Sequence, residues 1–176
     1  MDPSTPHRPH ADFHSPLRLR VAGVCVARGG RRVVENVSFA LAGGEALIVT
    51  GRNGAGKSTL LRAIAGLLPR LAGEIALEGG APETELAQQA HYLAHADGMK
   101  AALTVEENLE FWAGYLSRGA DARSRSVEQA LASVGLSHAL RAPFGALSAG
   151  QKRRAALARL LVAFRPLWLL DEPLTA

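Results

Sequence analysis

Gly51-Arg-Asn-Gly-Ala-Gly-Lys-Ser-Thr59 fills every fixed position of the pattern G-x-x-x-x-G-K-[ST]. It lies between an apolar run, Ala46-Leu-Ile-Val-Thr50, and a segment of helical periodicity, Lys57 to Leu68, that stops at Pro69. The placement predicts a strand that turns through a glycine loop into a helix, which commits this part of the chain to an α/β arrangement. Gly51, Gly54 and Gly56 let the backbone curl until successive N–H groups point at one phosphate, with no side chain filling the cradle. Lys57 can then reach the β- and γ-phosphates of a nucleoside triphosphate and Ser58 can ligate Mg2+. The helix that opens near Lys57 aims its positive end at the same anion. Gly51, Arg52, Asn53, Gly54, Ala55, Gly56, Lys57, Ser58 and Thr59 are therefore the candidate ATP-contacting residues. A glycine-rich turn that caps a helix by chance is the competing reading, and it does not require all the fixed positions to be filled between a strand and a helix.

The chain has 176 residues, enough for one domain with a substantial core, and 48% of them are hydrophobic, as a globular protein requires. A membrane helix needs about 20 consecutive apolar residues. The longest candidate, Ala155 to Leu170, is interrupted by Arg159, Arg165 and Pro166. Membrane association is thus expected to be peripheral or through a partner. The single cysteine, Cys25, cannot close an internal disulfide and reads as a small core residue in a reducing compartment. The net charge is +4, but the arginines are scattered and only Lys152-Arg-Arg154 forms a run, so no nucleic-acid partner is expected. Residues 1–16 hold Pro3, Pro6, Pro9 and Pro16 with His7, His10 and His14, and read as a disordered tail without the apolar centre of a signal peptide.

Residues 17–176 are expected to form the folded domain. Leu17 to Ala27 and Val33 to Leu41 read as strands joined at Gly29-Gly30, a hairpin ahead of the glycine loop. Gly73 to Gly79 and His91 to His95 read as further short strands. From Thr104 the pattern turns helical: Thr104-x-x-Glu107 is a capping box before Leu109, Phe111, Trp112 and Leu116, and a second helix runs from about Arg123 to Val134. Phe111 and Trp112 are expected to pack a core rather than to form a binding platform. Ser148 is expected to cap a helix reaching about Phe164, and Leu167-Trp-Leu-Leu170 to form a buried parallel strand.

Two further motifs narrow the class. Leu147-Ser-Ala-Gly-Gln151 resembles the signature motif of ATP-binding cassette proteins, and Trp168-Leu-Leu-Asp-Glu-Pro173 resembles their Walker B strand and catalytic glutamate. The resemblance implies an α/β P-loop ATPase core with an antiparallel β region before it and a helical subdomain at about 97–146 that meets membrane partners. It implies that Asp171 holds Mg2+ through water, and that Glu172 orients or deprotonates the attacking water. Ser148, Gly150 and Gln151 would meet the γ-phosphate of ATP held by a second subunit in a head-to-tail homodimer. Ser148 is equally an ordinary helix N-cap, and the two roles are compatible.

Within that family the chain resembles the ATP-binding subunits of the haem exporter of bacterial cytochrome c maturation, from about Leu17 to the end. The residues that carry this are Arg28-Gly-Gly-Arg-Arg, Tyr92-Leu-Ala-His-Ala-Asp-Gly-Met-Lys100, Leu103 to Trp112, Leu147 to Gln151, and Arg165 to Pro173. Arg28 stands where most cassettes stack an aromatic residue on adenine, and its guanidinium plane can stack instead. His95 stands where most carry a glutamine; it either contacts the γ-phosphate or the lytic water, or is a surface histidine of a loop. The resemblance implies ATP and Mg2+ as ligands, integral membrane subunits of a haem exporter as partners, and a peripheral position on the cytoplasmic face of the bacterial inner membrane. An exporter of lipids or drugs would share every ATP-site residue. A soluble cassette of DNA repair or translation would carry a long coiled coil or a second cassette, and about ninety residues without a long heptad run separate Lys57 from Ser148. An intact cassette would continue beyond Ala176 with a further strand and a switch histidine. The sequence is thus expected to be part of a longer protein, incomplete at its C-terminus and inactive alone. Ala46–Thr50 and Leu167–Leu170 are expected to show unpaired edges.

Overall fold

A computed structural model describes residues 16–94, 97–117 and 121–172. The tail expected at the N-terminus, up to residue 15, and His95 lie outside the described residues. The chain divides between Gln89 and Ala90 into two compact units.

The first unit is built on a hairpin. Strands β1 (Arg18–Arg28) and β2 (Arg31–Ala42) run antiparallel, with Arg28 opposite Arg31 across the two-residue turn. Gly29 and Gly30 have φ of 56° and 77°, the left-handed pair that matches a tight turn to the strand twist. Strand β3 (Ala72–Glu78) pairs antiparallel with the other edge of β1, giving the order β2-β1-β3. Leu19, Val21, Val24 and Val26 of the central strand are buried, as are Leu60, Ala63 and Ile64 of helix α1 (Lys57–Ile64). Helix α1 ends earlier than the sequence pattern suggests. Gly66, at φ 73°, lets Leu67 N–H bond Arg62 O at 2.8 Å while Gly66 N–H bonds Ala63 O at 3.1 Å, so the helix closes before Pro69 is reached. A one-turn helix, α2 (Leu86–Gln89), closes the unit.

The strand expected at Ala46–Thr50 does not form. Ladder hydrogen bonds to a neighbour hold a chain extended, and among the described residues no strand pairs with this segment. Its apolar side chains are open to solvent, Leu47 at 49% and Ile48 at 83%.

In the second unit, β4 (Ala90–Leu93) and β5 (Leu167–Leu170) pair in parallel, Ala90 with Leu167 through Leu93 with Leu170. Between them come α3 (Val105–Leu116), α4 (Val127–Ser133), short 3-10 turns at Ser137–Ala139 and Phe144–Ala146, and α5 (Ala149–Ala158). Val105, Leu109, Leu131, Leu136, Phe144, Ala155 and Val162 make the helical core. Trp112 packs against it, but Phe111 does not, contrary to the expectation from spacing. Neighbouring residues on a helix point about 100° apart, and Phe111 is 57% exposed, stacked on Tyr115. Helix α5 stops at Ala158 rather than near Phe164. Leu160 N–H and Leu161 N–H turn to the carbonyls of Leu157 and Ala158, the tightened three-residue spacing of a helix end, and the apolar run continues as a buried turn. Among the described residues no helix is long and apolar enough to cross a membrane.

Candidate functional site

The glycine loop precedes α1 in the first unit. Gly51, Gly54 and Gly56 have φ of 152°, 82° and 97°, and Ala55 N–H bonds Arg52 O at 3.1 Å to make the turn. Lys57, the first residue of α1, folds its ammonium back along the loop and donates to Gly51 O at 2.8 Å and Arg52 O at 3.1 Å. The loop thus curls around a cation. Gly56 is the N-cap, without a side-chain cap, and no acidic residue lies in the first turn. By contrast α3, α4 and α5 all open with reciprocal capping boxes, from Thr104, Ser126 and Ser148. The first N–H groups of α1, which have no intrahelical acceptor, therefore face the loop with no acidic side chain from their own turn beside them. That arrangement suits a phosphate. Gly56 has a second reason to lack a side chain: a Cβ there would come within 2.8 Å of Val33 O and 3.0 Å of Val33 Cγ1 on β2. Ser58 is half-buried and Thr59 buried in the same helical turn. Arg28 stands exposed at the tip of the hairpin.

The second unit assembles a different set. Strand β5 delivers Asp171, only 7% exposed, and the exposed Glu172. Asp171 N–H continues the ladder to Leu93 O at 2.8 Å, and its Oδ2 accepts from the Tyr92 hydroxyl at 3.0 Å. Glu172 has φ 52°, left-handed for a non-glycine residue. Ser148 and Gln151 are placed by the start of α5: Gln151 N–H donates to Ser148 Oγ at 3.3 Å and Ser148 N–H to Gln151 Oε1 at 2.9 Å. The N-cap reading of Ser148 is realised. At Gly150, exposed on the first turn, a Cβ would meet nothing within 4 Å, so that turn is open to approach.

Sequence reading missed the arginines of α5 and its C-cap. Arg153 donates from Nη1 to Ala94 O at 3.2 Å and from Nη2 to Glu172 O at 2.8 Å. Arg159, buried, donates to Asp97 O at 3.1 Å and Tyr92 O at 3.2 Å, and lies 4.3 Å over the Trp112 ring. Their acceptors are backbone carbonyls far away in sequence, which leave no side-chain signature to read. His91 is buried on β4, with Nε2 2.8 Å from Ala163 O. Burial, aided by nearby Arg165 and Arg159, pushes its pKa down to about 4.

For Mg2+ the chain offers hard oxygen donors, the Ser58 hydroxyl and the buried Asp171 carboxylate. Each is, within its own unit, the kind of donor that Mg2+ takes. Among the described residues no group of three or more His, Cys, Asp or Glu side chains could hold a metal ion.

Residues 34–175 match the ABC transporter family. The chain is similar to the cytochrome c biogenesis ATP-binding export protein CcmA of Rhodopseudomonas palustris strain HaA2, 51% identical over 160 residues, covering 91% of this chain and 78% of that protein. The protein of the same name from Rhizobium meliloti is 50% identical over 161 residues, with 91% and 78% covered. In architecture the chain is similar to an ABC transporter ATP-binding protein of Pyrococcus furiosus, with a TM-score of 0.78 and 28% identity, covering 90% of this chain and 77% of that one. It is also similar to an ATP binding subunit of an ABC transporter, with a TM-score of 0.71 and 28% identity, covering 89% and 66%.

Proposed function

The chain belongs to the ABC transporter family, and from that premise we propose that it is the ATP-hydrolysing subunit of an exporter that serves cytochrome c biogenesis by delivering haem. The observation that supports ATP as the fuel is the cation-centred glycine loop before an uncapped helix, Lys57 Nζ lying 2.8 Å from Gly51 O. The names of relatives at 50–51% identity support the biogenesis role.

The backbone from Gly51 to Thr59 and the Lys57 ammonium bind the phosphates and stabilise charge as it moves to the β–γ bridging oxygen. Ser58 and Asp171 would be the protein ligands of Mg2+, which when bound would neutralise phosphate charge. Glu172 accepts a proton from the attacking water, or orients it. Arg28 contributes a stacking plane for adenine. Residues 17–176 form the nucleotide-binding domain, and the helices at about 97–146 meet the membrane subunits. Ser148, Gly150 and Gln151 close on ATP bound by a second copy, head to tail. The subunit sits peripherally on the cytoplasmic face of the inner membrane.

The test is genetic and biochemical. Cells whose full-length protein carries Lys57→Ala are expected to lose covalently haem-bearing c-type cytochromes while other haem proteins persist, and the tagged parent protein is expected to copurify with integral membrane subunits. Normal c-type cytochromes in the Lys57→Ala strain would reject the biogenesis role. An exporter of lipids or drugs in the purified complex would replace it.

A further inference from the structure

We infer that Arg153 is a positioning residue for Glu172, and that it ties the turnover geometry at the end of β5 to the helix whose first turn bears Ser148 and Gln151. The inference rests on the reading of Glu172 as the group that orients or deprotonates the lytic water. Arg153 lies on α5, five residues beyond the N-cap Ser148, which is less than one and a half turns along the helix. Its guanidinium spans two separate segments of the same unit. Nη1 donates to Ala94 O, just after β4, at 3.2 Å, and Nη2 donates to Glu172 O, just after β5, at 2.8 Å, with Asp171 O at the outer limit of 3.5 Å.

What it holds is unusual backbone. Glu172 sits at φ 52°, a conformation that a residue with a Cβ adopts only when its surroundings impose it. Among the described residues the parallel ladder ends with Asp171 N–H on Leu93 O, and Glu172 lies beyond its last paired residue. The charge-assisted bond from Arg153 to Glu172 O lies one residue past that end. A planar fork with two donors can bridge Ala94 O and Glu172 O at once, whereas a lysine ammonium is a point donor at the end of a flexible stem. Arg153 makes no contact with nucleotide in this scheme; it sets where the Glu172 carboxylate stands. Movement of α5 as its first turn meets nucleotide on another copy would then be felt at Glu172 of its own chain.

The test is steady-state and single-turnover ATPase of the full-length protein in its complete membrane complex. Arg153→Ala is expected to lower kcat about 10- to 100-fold, with KM for MgATP within about twofold of the parent, since the glycine loop is untouched. Arg153→Lys is expected to fall between the two. Glu172→Gln must collapse turnover on its own, and in that background Arg153→Ala should add less than about a twofold further loss, because it acts through the carboxylate already removed. A thermal melt close to the parent's accompanies each variant. Turnover unchanged in Arg153→Ala, alongside collapse in Glu172→Gln, would overturn the positioning role alone. Losses that multiply in the double variant would also overturn it. Parental turnover in Glu172→Gln would overturn the reading of Glu172 and this inference with it.

Discussion

His91 ties a single proton to the stability of the second unit. Its ring is buried on β4, with Nε2 donating to Ala163 O in the neutral form, and its pKa falls to about 4 from the ordinary 6.5. Between those values the unfolded chain binds a proton that the folded chain refuses, so stability present above pH 6.5 is lost as pH falls toward 4 and levels off below it. The full span is on the order of 3 kcal/mol. Melting temperature is therefore expected to drop steeply from pH 7 to pH 4.5, and His91→Gln, which keeps an N–H donor, should flatten that slope; equal slopes in parent and variant would contradict the assignment. Gly56 offers the matching residue-scale test in the first unit. Alanine there meets both a φ of 97° and the Val33 carbonyl at 2.8 Å, so a loss of about 1–3 kcal/mol and weakened ATP binding are expected from melting and nucleotide titration. Lys57 and Gly56 were legible in the sequence because a local motif fixes their spacing. Arg153 and Arg159 were not, because their partners are carbonyls at Ala94, Glu172, Tyr92 and Asp97, and any residue carries a carbonyl.

At the scale of elements, local chemistry was readable where Thr104 and Ser148 cap their helices, but not at Ser126, whose capping box with Gln129 starts α4 at Val127 rather than near the expected Arg123. The Thr104-x-x-Glu107 box forms as the pattern predicts, with Glu107 N–H on Thr104 Oγ1 at 3.1 Å and Thr104 N–H on Glu107 Oε2 at 2.7 Å. Replacing Thr104 by alanine is expected to cost about 1 kcal/mol, and serine to cost little. Denaturant melts of the two variants check this, and equal losses would show that the hydroxyl contributes nothing. Element ends that depend on backbone closure were less readable. Helix α1 stops at Gly66 because a left-handed glycine lets the last carbonyls be satisfied, and α5 tightens after Ala158 although the apolar pattern runs on. The run Ala46–Thr50 has the composition of a buried strand but no ladder partner among the described residues. Apolar content predicts where a strand would be stable, while pairing decides whether it exists.

At the scale of the whole molecule, the start of α5 serves two demands that a single substitution must separate. Ser148 caps the helix through Gln151 N–H, so a bulky replacement such as arginine would lose the cap as well as obstruct a second copy. Asparagine and aspartate are both good N-caps, and they differ in charge. The N–H groups of Ala149 and Gly150 remain outside the cap and have no intrahelical acceptor, so this first turn can still receive an anion while Ser148 stays engaged with Gln151. Ser148→Asn should therefore preserve both folding and ATP-dependent dimerisation. Ser148→Asp should melt like the parent and bind ATP at its own glycine loop, yet place a carboxylate where the triphosphate of a second copy must approach, and so abolish the dimer. Size-exclusion chromatography of the full-length protein with ATP, in a Glu172→Gln background that slows turnover, separates the cases. A Ser148→Asp protein that dimerises as well as Ser148→Asn would show that this turn does not face the nucleotide of another copy, and would leave Ser148 with the helix cap as its whole role.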